Sequence, residues 1–149
     1  MNQHLWEEAS AELKQDFREM DNTVSRTLTH LLIFPHRKGH AFIRDGVLHL
    51  ITLFAKGECS GGDLYRCLAL WHHCTPRAAE SSIRSAIKAA ENMGATERLN
   101  QLFGMPVSDK SCPLSNLQFI SLLAQYCYYF EPRVTSHIPP SAPSTCPVM

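Results

Sequence analysis

The chain has 149 residues, its 14 Lys and Arg are balanced by 14 Asp and Glu, and 44% of it is hydrophobic. That length suits one domain with tails and is enough to bury a real core. No apolar run approaches the ~18 residues of a membrane span, and no basic segment leads into an apolar one at the N-terminus, so neither membrane span nor secretory signal is expected. The expectation is a cytoplasmic protein whose six scattered cysteines, none in a C-x-x-C pair, stay reduced.

Charge is unevenly spread. Residues 1–22 carry a net −4 and the remainder a net +4. A mildly basic body behind an acidic segment is compatible with nucleic-acid binding without demanding it.

In chain order, a helix is predicted over residues 3–21, where Leu5, Ala9, Leu13, Phe17 and Met20 recur at helical spacing. The stripe can continue through Val24, Leu28 and Leu31 until Pro35 ends it. A helix over residues 40–54 is predicted to bury Phe42, Val47, Leu50, Ile51 and Phe54. Gly57 and Gly61-Gly62 mark the next turn. A short helix over residues 96–103 is stopped by Gly104, and the last helix is placed over residues 116–129. From Pro132 the chain holds five prolines and almost no core formers, so a disordered tail over residues 131–149 is predicted. The fold class is therefore all-α, a compact helical domain over residues 26–130 behind an acidic amphipathic segment over residues 1–25.

The segment between Leu64 and Ile87 is the most informative. Leu64, Cys67, Leu68 and Trp71 form one stripe; Ala79, Ile83, Ala86, Ile87 and Ala90 form another, closed by Gly94. Thr75 suits an N-cap and Pro76 the first helical position. Two helices with a minimal connection are the skeleton of a helix-turn-helix. The same pattern fits a helical hairpin inside a bundle, and the segment alone does not choose.

His72-His73-Cys74, with His36 and His40, raises a metal site. Gly39 and Pro35 interrupt a helix that would align the two histidines, and no second thiolate or carboxylate has ligand spacing, so no metal or other cofactor is expected. Nothing fixes a Cys–His nucleophile pair or supplies an oxyanion hole, and no phosphate-binding glycine loop is present, so an enzyme is not expected.

The flanks choose between the two readings of the hairpin. The motifs are Pro35-His36-Arg37-Lys38-Gly39 with Arg44, Leu64-Tyr65, and Ser82-Ile83-Arg84-Ser85-Ala86-Ile87. Leu102-Phe103-Gly104-Met105-Pro106-Val107-Ser108 and Ser115-Asn116-Leu117-Gln118-Phe119-Ile120 follow in order. With these motifs the chain resembles, over about residues 26–128, the C-terminal effector family of the sporulation regulator, stage 0 sporulation protein A. The resemblance implies an all-helical DNA-binding transcription regulator with residues 75–93 as recognition helix, and a phosphate-facing role for the Pro35–Gly39 segment. It implies double-stranded DNA as partner and a dimer on repeated sites; RNA polymerase and a full-length paralogous regulator are further candidate partners. Only about 25 residues precede the resemblance in this sequence, too few for the receiver domain of the full regulator.

On a recognition helix the first turns face the major groove. The candidate DNA-contacting residues are Arg37, Lys38, Thr75, Arg77, Glu80, Ser81, Arg84, Ser85 and Lys88. Arg84 is the best base reader, because a guanidinium can grip guanine O6 and N7 together. Glu80 can accept from cytosine N4; Arg37, Lys38, Arg77 and Lys88 suit phosphates. Ala78 and Ser81 stand where the family usually has arginine, Ser85 replaces a histidine, and Leu70 and Trp71 replace basic residues. Fewer cations predict weaker binding and a changed sequence preference. Exposure of Leu70 and Trp71 would instead favour a protein-interaction module that pairs with a full-length regulator.

Overall fold

A computed structural model describes residues 11–57 and 63–130. Its helices are α1 (Ala11–His30), α2 (Lys38–Ala55), α3 (Leu64–Trp71), α4 (Pro76–Asn92), α5 (Ala95–Phe103) and α6 (Asn116–Gln125), and a π-helical turn, Tyr126–Phe130, ends the described chain. No strand is present among the described residues, only an isolated bridge between Asp109 and Cys112. The all-α expectation holds. None of these helices is long and apolar enough to cross a membrane.

The local stops follow from backbone chemistry. α1 runs through residue 25 and ends in a Schellman motif: Ile33 N–H donates to Leu28 O (2.9 Å) and Leu32 N–H to Thr29 O (2.9 Å). Leu32 takes the left-handed conformation, φ 68°, that glycine usually supplies there. Val24, Leu28 and Leu31 are buried, so the apolar stripe does continue past residue 21. Leu5 and Ala9, the side chains of Leu13 and Phe17, and the proline-rich tail lie outside the described residues.

α2 begins at Lys38, before the predicted residue 40, because Gly39 permits a close helix crossing rather than breaking the helix. A Cβ at Gly39 would fall on the Ser82 carbonyl oxygen and 2.6 Å from Ala86 Cβ, both on α4. α2 is the central helix, packed against α1, α3, α4 and α6. Ile43, Val47, Leu48, Leu50 and Ile51 face the core with Leu64, Leu68, Ile83, Ile87, Leu99, Phe119, Ile120 and Leu123. α5 starts and stops on left-handed glycines, Gly94 (φ 108°) and Gly104 (φ 68°). α6 opens on a capping box, in which Ser115 Oγ accepts from Gln118 N–H (3.1 Å) and Gln118 Oε1 accepts from Ser115 N–H (2.8 Å). The predicted last helix to residue 129 is thus α-helical to Gln125 and then widens into the π-turn, where Cys127 is buried against Thr27 of α1. Cys67, Cys74, Cys112 and Cys127 are free thiols.

Candidate nucleic-acid interface

α3 and α4 meet through a tight turn. His72 closes α3, and His73 adopts φ 55°, the left-handed residue of a helix stop, with Cys74 N–H donating to Ala69 O (3.0 Å). Thr75 then caps α4: its Oγ1 accepts from Ala78 N–H at 3.0 Å, with Pro76 at the first helical position. Thr75 Oγ1 accepts in that cap, and its hydroxyl hydrogen remains able to donate.

The angle of α4 is set from two sides. Along one side its Ser82 and Ala86 touch Gly39 of α2. Along the other, Asn116 Nδ2 donates to Glu80 O (3.2 Å), and Arg84 Nη1 donates to Leu114 O (3.3 Å). Tyr65 of α3 stands in the same group. Burial pushes its phenol above the ordinary value, against the hydrogen bond of Asn116. Ala79, Ile83, Ala86, Ile87 and Ala90 are buried beneath.

At 100° per residue, the face opposite that buried stripe carries Arg77, Ala78, Ser81, Ser85 and Lys88, all exposed. Arg37 and Lys38 are exposed at the N-terminus of α2, where no side chain caps the free amides and no acid occupies the first turn. Lys38, Ala41 and Phe42 form one wall of an open cleft of about 370 Å³; His72, His73, Cys74, Ala78 and Ser82 form the rest. Among the described residues, Arg37, Lys38, Arg77 and Lys88 form no ion pair.

Arg84 differs from these four. It lies on the flank of α4, and besides Leu114 O it meets Glu91, Nη2 to Oε1 3.6 Å. Glu80 is exposed on the same flank, above the Asn116 contact. The structure thus gathers Arg77, Ser81, Ser85 and Lys88 on one outward line with Lys38 beside it, and sets Glu80 and Arg84 toward the loop before α6.

The histidines separate. His72 Nε2 lies 2.8 Å from Asp45 Oδ2 and its ring packs on Phe42 at 4.4 Å between centroids. His40 is buried and His36 precedes the helix, so the two do not share a helix face. Among the described residues no three His, Cys, Asp or Glu side chains are grouped to hold a metal ion. Asp45, Glu91 and Leu114 were not singled out by sequence reasoning. The only hint of Asp45 was a carboxylate inside an apolar helix, and Asn116 lay within a motif without showing its role.

Leu70 is 69% exposed, whereas Trp71 is half-buried and packs its edge on His49, with ring centroids 5.4 Å apart.

Residues 24–127 match the family described as sporulation initiation factor Spo0A C terminal. Its members are transcription-factor domains rather than enzymes. The chain belongs to the Spo0A C-terminal family, the helical DNA-binding domain of a sporulation regulator.

Proposed function

We propose that the chain is a sequence-specific transcription regulator that lays α4 in the major groove of double-stranded DNA, residues 75–93 with their caps being the recognition helix. The observation that carries this reading is the outward line of α4. Arg77, Ser81, Ser85 and Lys88 are exposed together, and the helix is anchored on both flanks by Gly39 and Asn116. Recognition needs such a rigid support, because base contacts fail when the helix tilts. Arg37, Lys38, Arg77 and Lys88 meet phosphates; Arg84 and Glu80 reach base edges from the flank. The effector domain, placed over residues 26–130, also takes in the preceding turns of α1 that bury Val24, and acts in the cytoplasm as a dimer on repeated sites.

Selection of bound duplexes from a random oligonucleotide pool with the purified full chain tests this. An enriched motif is the expected result; a pool left without sequence enrichment overturns it.

A second reading is favoured by Leu70. An apolar side chain 69% exposed beside the recognition helix suits a protein partner. In that reading the chain pairs with a full-length regulator and blocks it. It predicts no enriched motif, together with displacement of the full-length regulator from its DNA by this chain.

A further inference from the structure

We propose that Glu91 is a positioning residue for Arg84, holding its guanidinium toward the C-terminal half of α4 and competing with DNA for it. This rests on the reading of α4 as the DNA-facing helix. Glu91 lies seven residues beyond Arg84, and at 1.5 Å per residue their Cα atoms are about 10 Å apart along the axis. Side chains on a helix lean toward its N-terminus. Glu91 therefore leans back as expected, whereas Arg84 must extend against its natural lean to bring Nη2 within 3.6 Å of Glu91 Oε1. The N-terminal turns are where a recognition helix reads bases. The guanidinium is thus drawn away from that end, and Leu114 O, 3.3 Å from Nη1, fixes it there.

The pair is weak enough to yield. Arg84 and Glu91 side chains are 39% and 21% exposed, so solvent screens their attraction, and pairs of this kind contribute little to stability. A phosphate or guanine offers the guanidinium a stronger, bidentate partner. Leaving also forfeits the Leu114 carbonyl. Each complex with DNA is therefore weaker than the Arg84 contact alone would make it, and base discrimination at the Arg84 position is blunted. Arg37, Lys38, Arg77 and Lys88 carry no such restraint among the described residues.

The test is a double-mutant cycle on the full chain: wild type, Glu91→Gln, Arg84→Ala and the double variant. The probes are a duplex carrying the selected motif and a scrambled duplex of equal length. Glu91→Gln is expected to bind the motif about two- to fivefold more tightly at low salt, with the gain shrinking as salt rises. The gain disappears in the Arg84→Ala background, and preference at one base position sharpens only when Arg84 is present. An equal gain in both backgrounds is a general charge effect and overturns the proposal, as does no gain. Glu91→Ala repeats the comparison if Glu91→Gln melts abnormally. A wild-type chain that binds no duplex retires the DNA reading itself before any variant is compared, and this proposal with it.

Discussion

His72 Nε2 lies 2.8 Å from Asp45 Oδ2, and this contact ties the end of α3 to the middle of α2. Asp45 is fully buried, and Arg44 Nε approaches its other oxygen at 3.2 Å. Hydrogen bonds to a buried charged group contribute more than neutral ones. Asp45→Ala is expected to lower unfolding free energy by about 1.5–3 kcal/mol in denaturant titration. It should also weaken DNA binding, because the turn that precedes α4 loses its tether.

The turn itself holds His73 at φ 55°, a conformation that disfavours a side chain. His73→Gly is expected to raise stability by about 1 kcal/mol, since glycine suits this helix-stop position. The same change removes a cleft-lining imidazole. A stability loss in thermal melting would show that the side chain contributes more than its strain costs.

The exposed face of α4 is poor in cations. Ser81→Arg and Ala78→Arg are each expected to tighten DNA binding and to steepen the dependence of affinity on salt by about one unit of slope. Lys88→Ala should do the reverse, weakening all sequences alike. Equilibrium binding at several salt concentrations reads both effects.

Stability should fall on mild acidification. Burial holds the His40 imidazole below its ordinary value of 6.5, aided by the Arg44 charge and opposed by Asp21 and Asp45. His49 is lowered in the same direction, by burial and then by Lys56. The unfolded chain takes up these protons near 6.5, whereas the folded chain resists them until lower pH. Stability is therefore complete above that value and is lost as pH falls through the folded values. Thermal midpoints measured from about pH 7 to about pH 5 are expected to drop. His40→Gln should remove part of that drop; an unchanged profile would take His40 out of the account.

Gly39 gives a geometric counterpart. Its absent Cβ lets α2 and α4 touch at Ser82 and Ala86. Gly39→Ala forces backbone apart rather than a flexible side chain, so a loss of about 1–3 kcal/mol is expected by denaturation. DNA affinity should fall with it, because α4 shifts relative to Lys38.

Much of the helical order was legible in the sequence. The spacing of Ala79, Ile83, Ala86, Ile87 and Ala90 gave α4, with Thr75 and Pro76 marking its start and Gly94 its end. Gly104 likewise closed α5. The motifs from Pro35 to Ile120 pointed to the family that residues 24–127 match. These features are local: periodicity, caps and stops act within a few residues, so the chain displays them before it folds.

Other features required the fold. Gly39 looked like a helix breaker and is a contact point, because only the α4 backbone crossing it gives the missing Cβ a purpose. Asp45 meets a histidine 27 residues away, and Arg84 a carbonyl 30 residues away. The sequence by itself determined the order and approximate extents of the helices and which of their faces are apolar. Only the tertiary structure decided that Arg37, Lys38, Arg77 and Lys88 stand exposed while Arg84 is held by Leu114 and Glu91. A long charged side chain has many rotamers of similar energy, and the partners that select among them come from other elements or distant turns.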